Sequence, residues 1–423
     1  MLAVVSQQNI LRAALAADLS QMYADEVPKY GHLVDATQRV NQAEGQHHLD
    51  PSRLGTERHG AIRVASFDEL GLIARLFAQF GMQAVGYYDL RTGANPIPVV
   101  STAFRPVTTE DLDASPFRMF TSVLVADDDQ FFTSDMQAEL GERMTTRQIF
   151  SDDLLTMIEA VEQYGHVDDP DQFVALTVDA FRLDADPIDR EWFEQLDEIS
   201  PVASDIAAGR STHLNHLTPR VADIAQLHAT MEREGVTMID RIQGPPTWDG
   251  PDLLLRQTSF RALDETRTFR RANGDLFEGT VRVRFGEVEQ RGIAVTPQGR
   301  AKVDAAMQAG NDASSETERE NAIRDALNAT FPTTIVALYE AGDIYARHVE
   351  IDGAPSLAPI TYEDFLPASA AGIFASNLAH AGVRLSPSAT PREEFDRLRA
   401  AVGHVHDPYV LYQAEQERSQ SVA

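Results

Sequence analysis

The spacing of apolar and polar positions changes period several times along this chain, and the changes predict its elements. Residues 1 to about 50 carry a helical pattern that ends in a polar run through Gln46, His47, His48 and Asp50. Arg58–Val64 reads as a short strand. Leu70, Ile73, Leu76, Phe77 and Phe80 then recur at helical spacing, with Gly81 as a stop signal. Strands are predicted at 83–89, 99–104 and 117–126. From about 145 to 196 the pattern is helical and acidic, with Ser151 or Asp152 capping one helix and Asp169-Pro170 opening another. Pro187 interrupts that series. Further strands are expected over 252–263 and 277–294, and helices over 302–309 and 318–329, with a polar loop at 310–317. Residues 334–340 and 345–351 read as a hairpin. Residues 361–382 read as a loop followed by a small-residue helix, and the polar end after Tyr412 as disordered.

The stretch Thr280–Ala294 alternates at period two, as one long strand would. Val281, Val283 and Phe285 share a face, which Glu287 and Glu289 continue. A carboxylate on a buried face must be paired, hydrogen-bonded or bound to a metal. A short repeat supplies partners. His59–Ala65 and His216–Ala222 both read His-x-x-x-Arg-Val-Ala, and each is followed by a helix, a glycine (Gly81 and Gly235) and an apolar strand. Within each copy the histidine and arginine, four apart, share a strand face. Two histidines from a duplicated module and one carboxylate form a set that leaves coordination positions open, as non-haem Fe(II) requires. His213, three positions from His216, points to the opposite face, and the remaining histidines gain no support from the repeat. The competing reading pairs Glu287 and Glu289 with arginines of neighbouring strands. Spacing does not choose between the two glutamates as ligand.

Composition narrows the class. A chain of 423 residues implies two or three packing units. The formal net charge of −29 and the pI near 4.7 argue against nucleic acid or an anionic membrane as partner. The absence of cysteine removes disulfides, thiolate metal sites and thiol nucleophiles together. The N-terminal stretch reads as an amphipathic helix without signal-peptide features, and no apolar run reaches membrane-spanning length. A soluble, cytoplasmic protein is expected. The predicted organisation is an N-terminal helical segment (1–50), a first barrel module (51–140), a helical insertion (141–205), a second barrel module (206–300) and a C-terminal α/β segment closing the site (301–423).

The modules resemble those of the vicinal oxygen chelate superfamily. That implies an α+β fold: a half-open β-barrel from two βαβββ-like modules, with added helical segments. The combination HGAIRV, HLNHLTPRV, LLLRQTSFRAL, RFGEVEQRGIAVTPQGR and EDFLPASAAGIF resembles the 2-oxoadipate dioxygenase/decarboxylase family within it. The resemblance implies Fe(II) held by His59, His216 and Glu287. Glu287 is preferred over Glu289 by similarity to the FFEIIQR strand of hydroxyphenylpyruvate dioxygenases, whose first glutamate binds iron. It implies Arg63 as a substrate-binding residue and a substrate-contacting loop at Pro367–Ala370 that includes Ala368 and Ser369. Ala368 stands where related sequences often have valine. The implied partners are a 2-oxo dicarboxylate and O2. The implied reaction converts 2-oxoadipate to 2-hydroxyglutarate and CO2, within lysine catabolism. Arg220 is read as mainly structural, and Gln257 and Ser259 as lining the barrel. Two other classes remain: a non-oxidative metal-dependent isomerase or lyase, which would act without oxygen, and a non-catalytic binding module, which would hold no metal.

Overall fold

The N-terminal helical pattern resolves into two helices that cover the outer face of a sheet. In this computed structural model, which describes residues 6–44, 51–92, 96–282, 284–351, 353–366 and 391–420, the Ser6 side chain caps α1 (Gln7–Glu26). Leu11, Leu15, Leu19, Met22 and Tyr23 form its buried stripe, and α2 (Pro28–Glu44) adds Tyr30, Leu33 and Val40.

The first module follows the predicted order. It runs β1 (Arg58–Val64), α3 (Phe67–Gln79), β2 (Gln83–Asp89), β3 (Val99–Arg105), α4 (Thr109–Ala114) and β4 (Phe117–Leu124). Ser66 caps α3, and Gly81 closes it with a φ of +69°, a conformation glycine adopts without strain. A helical insertion follows: α5 (Ser134–Met144), α6 (Asp152–Tyr164), α7 (Pro170–Ala180), the two-residue β5 (Ile188–Asp189), α8 (Arg190–Ile199) and α9 (Pro201–Ala207). Ser151 and Asp169 cap α6 and α7.

The second module begins with β6 (Leu214–Pro219) and α10 (Ile224–Arg233), after which Gly235 has a φ of +83°. The apolar strand expected next is reduced to isolated bridges at Met238 and Gln243. β7 (Leu255–Ser259), β8 (Glu265–Arg270), β9 (Leu276–Val281) and β10 (Glu287–Arg291) complete it. The predicted single strand over 280–294 is therefore two strands. β9 pairs with β8 in an exposed hairpin, while β10 pairs with β7. Val281 packs in a small cluster with Ile188 and Phe269, whereas Phe285 joins the main core. Alternation alone does not register this change of partner. Val283 lies outside the described residues.

The C-terminal part holds α11 (Pro297–Gln308), α12 (Glu316–Thr330), α13 (Ile335–Glu340), β11 (Ala346–Ile351), β12 (Ala354–Pro359), α14 (Pro391–Val402) and α15 (Pro408–Gln420). Two expectations are corrected here. Residues 334–340 are helical, because Thr334 caps the turn by accepting from the Ala337 N–H, and the partner of β11 is β12. The polar end is a helix anchored by buried Tyr412. Among the described residues no helix is long and apolar enough to cross a membrane.

The main sheet has the order β2-β3-β4-β1-β6, with β1 parallel to β4 and antiparallel to β6. A bridge between Arg220 and Glu289 extends it to β10 and β7. The result is an open sheet with different chemistry on its two faces. Ile62, Val64, Met119 and Val123 face the core shared with α1, α2 and α3. Positions of the other parity carry His59, Arg63, Arg105, Arg118, Ser101 and Ser122, all buried. A β-bulge sharpens the pattern. Ala61 lies opposite His216 but Ile62 opposite Leu214, so Asn215 is the extra residue. Bulges of this kind re-aim side chains beside functional sites.

Candidate metal centre

The three predicted ligands meet on the polar face of the sheet. His59 comes from β1, His216 from β6 and Glu287 from the first position of β10. Ligand atoms from all three lie within 4.8 Å of one another, and all three residues are buried. His59 Nε2 is 3.2 Å from Glu287 Oε1, and His216 Nε2 is 3.9 Å from Glu287 Oε2. Gln257 donates from Nε2 to Glu287 Oε1, at 2.5 Å, and Thr218 Oγ1 donates to the same oxygen at 3.5 Å.

Glu289 takes a different position. It stands 2.9 Å from the other nitrogen of His59, Nδ1. Its two oxygens accept from Arg291 Nε and Nη2 at 2.7 and 2.9 Å. Burial alone would raise its pKa, but Arg291, followed by His59 and Arg118, outweighs burial and holds Glu289 at about 2. It is a fixed anion behind the imidazole, an arrangement that sets the tautomer and orientation of a ligating histidine.

The donor set fits a divalent cation. Burial, with help from the His59 and Arg63 charges, pushes His216 well below the usual imidazole range, so it is neutral, the form that ligates. Its Nδ1 has no hydrogen-bond partner among the described residues. Burial raises the Glu287 carboxyl, an effect His59 opposes. His59 is raised despite burial, because Glu289 and Glu287 both favour a proton on it. A proton on His59 and a cation compete for the same carboxylates. Among the described residues, a buried carboxylate paired with no guanidinium, beside a neutral imidazole whose Nδ1 is unbonded, is a set that a cation would complete.

Arg63 sits on the same strand face as His59. Its Nη1 donates to Asp205 Oδ2 on α9, which also accepts from Asn215 Nδ2 at 2.9 Å. Burial would raise Asp205, but His213 and Arg63 hold it far below the usual carboxylate range. His213 Nε2 lies 3.2 Å from Asp205 Oδ1, so it joins the arginine's seat and not the ligand cluster. Gln257 touches the cluster, as the lining reading expects. Arg220 is buried against Glu57, 2.6 Å away. Ala368 and Ser369 lie outside the described residues.

Several contributors were not singled out by sequence reasoning. Phe365 packs edge-on against His59, with ring centroids 4.9 Å apart, and continues through Phe120 to Tyr88. Glu57 collects Arg53, Arg118, Arg220 and Arg291 behind the site. Arg291 had a legible signal: two positions after Glu289, it shares that residue's strand face. Phe365 had none and Glu57 only Arg53 four residues before it, because their other partners are remote in sequence.

A buried His-His-Glu cluster on one face of an open sheet in a mixed α+β chain defines a candidate metal-dependent enzyme. The family model for 2-oxoadipate dioxygenase/decarboxylase matches residues 15–377. The chain belongs to that family and is an enzyme of this type. A 2-oxoadipate dioxygenase/decarboxylase of Mycobacterium tuberculosis is 49% identical over 418 residues, covering 96% of this chain and 97% of the relative. One from Pseudomonas putida is 38% identical, covering 97% and 95%. The crystal structure of hydroxyglutarate synthase from Pseudomonas putida in complex with 2-oxoadipate superposes with a TM-score of 0.83 at 35% identity, covering 99% of this chain and 98% of that one.

Proposed function

We propose that the chain converts 2-oxoadipate and O2 to 2-hydroxyglutarate and CO2, with Fe(II) held by His59, His216 and Glu287. The observation that carries this reading is the buried cluster of those three side chains in a chain whose family relative was crystallised with 2-oxoadipate. Bound there, Fe(II) would supply the redox chemistry that couples O2 to loss of the 1-carboxylate as CO2, conversion of the 2-keto carbon to a carboxylate and hydroxylation of the carbon next to that new carboxylate. Three protein ligands leave room for the 2-oxo acid and for O2. The cytoplasm and lysine catabolism are the setting this reading implies.

The chain's own residues bind, orient and exclude water. Arg63 grips the distal carboxylate of the substrate with a guanidinium fork, and Asp205 holds that fork in place. Phe365, Phe120 and Tyr88 form an apolar wall beside His59. The family resemblance adds Ala368 and Ser369 as substrate contacts. The C-terminal segment closes the site through residues 362–366, whose Phe365 packs against His59. Glu287 and the two imidazoles are the metal ligands, and Gln257 fixes the carboxylate that Glu287 presents.

Anaerobic loading with Fe(II), followed by oxygen uptake with 2-oxoadipate, tests the reading. Oxygen consumption matched by 2-hydroxyglutarate supports it. Turnover of a 2-oxo acid without oxygen would instead favour the isomerase or lyase reading. Arg63→Ala is expected to lower kcat/KM for 2-oxoadipate by roughly 10–100-fold, the loss of a charge-assisted hydrogen bond of about 1.5–3 kcal/mol. For 2-oxohexanoate, which lacks the distal carboxylate, it should change little. Equal losses on both substrates in steady-state assays would remove Arg63 from substrate recognition.

A further inference from the structure

Arg291, the last residue of β10, serves two structures with one guanidinium. It is fully buried. Nε and Nη2 donate to the two oxygens of Glu289, while Nη1 donates to the backbone carbonyls of Tyr362 and Asp364 at 2.8 and 3.0 Å. Glu289 is the carboxylate behind His59 Nδ1. Tyr362 and Asp364 belong to the strap whose Phe365 ring packs edge-on against His59. The guanidinium carbon lies 5.4 Å from the Phe365 ring centroid. His59 is thus held from behind by a carboxylate and from the side by an aromatic ring, and one cation fixes both.

We infer that Arg291 is a positioning residue that couples metal binding at His59 to the seating of residues 362–366. The inference rests on the metal reading of the site. A coupling between two sites is reciprocal: whatever factor the seated strap adds to metal affinity, the metal adds to the stability of the seated strap. The coupling requires a planar fork that donates in two directions, which an ammonium group does not supply. The strap has other anchors, so losing Arg291 uncouples it without releasing it. Glu363 bonds Arg53 and Arg118, Asp364 bonds Arg105 and Tyr412, and the Phe365 N–H donates to the Tyr88 hydroxyl.

The test uses the full-length protein, Co(II) as the metal probe and Arg291→Lys as the variant. Two quantities are read: Co(II) affinity from the visible d–d band, and hydrogen exchange of the 362–366 amides with and without Co(II). The unsubstituted protein should gain protection in that segment on binding Co(II). Arg291→Lys should bind Co(II) roughly 10–100-fold more weakly, the range for losing a partner that orients a ligand, with an altered d–d band and no metal-linked protection. Retention of both affinity and metal-linked protection in the folded variant overturns the inference. A merely structural arginine would lower thermal stability and leave the band unmoved. Should Arg291→Lys fail to fold, Phe365→Leu tests the same link, and unchanged Co(II) affinity there overturns it. Absence of Co(II) binding by the unsubstituted protein is a different result, which overturns the metal centre itself.

Discussion

His216→Ala is expected to abolish both metal retention and turnover, while His213→Ala is expected to keep the metal. The two residues stand on one short stretch of chain, so the contrast tests the site with little difference in local environment. His216 offers a neutral, buried imidazole to the cluster with Glu287 and His59. On the proposed reading its removal deletes one of three ligands, and we expect metal affinity to fall by more than about 100-fold, beyond the usual cost of losing only a ligand's hydrogen-bonding neighbour. His213 instead contacts Asp205 and Asn215, the seat of Arg63. Its replacement should raise KM for 2-oxoadipate several-fold and leave metal content intact. Metal analysis after gel filtration, paired with oxygen uptake, reads both effects. The opposite ranking of the two variants would refute the ligand assignment.

The largest effect on stability is expected from Glu57→Gln. Glu57 is fully buried and faces Arg53, Arg118, Arg220 and Arg291. Glu363 and Glu289 complete the network. Replacing the carboxylate by an amide keeps the volume but leaves guanidiniums buried beside an uncharged partner. Breaking one side of a buried pair costs about 3–5 kcal/mol, and Glu57→Gln is expected at or above the top of that range. The pH dependence has a definite sign. Burial alone would raise the Glu57 pKa, but Arg220, Arg53, Arg118 and Arg291 outweigh it and hold it well below the usual carboxylate range. A depressed carboxylate contributes its stability in full above the unfolded pKa and loses it as pH falls towards the folded one. Urea unfolding near neutrality and at roughly pH 4 should therefore show a smaller acid loss in the variant than in the unsubstituted protein. An equally steep acid loss in Glu57→Gln would mean that other groups set the acid limit.

The elements that sequence reasoning recovers are those whose cause is local. Ser66, Ser151 and Asp169 cap helices through a neighbouring N–H, and Gly81 and Gly235 end helices at positive φ. The duplicated His-x-x-x-Arg-Val-Ala strands were legible for the same reason, and they place His59 and His216 on adjacent strands. What sequence reasoning missed depends on distant partners. The residues between Val281 and Glu287 change sheets because Glu287 registers with Ser259 while Val281 registers with Glu265. Alternation reads the same in either case. Thr334–Glu340 mimics a strand through Thr, Ile and Val, yet one cap at Thr334 makes it helical. The C-terminal polarity conceals Tyr412, whose hydroxyl accepts from the Glu363 N–H and donates to Asp364. The bulge at Asn215 is likewise a property of the pairing with β1 and not of β6 alone.

The central pairing of β1 with β6 also bears on how the enzyme is made. Every residue between Ile62 and Leu214 must be gathered before those strands meet, and Glu287 arrives later still on β10. Closing so long a loop costs entropy before any contact offsets it, and such non-local pairings fold slowly. A chain emerging from the ribosome therefore presents one histidine, then two, long before the carboxylate follows. The cluster of His59, His216 and Glu287 exists only once both modules have assembled, so on the proposed reading a metal would enter a finished protein and not a nascent one.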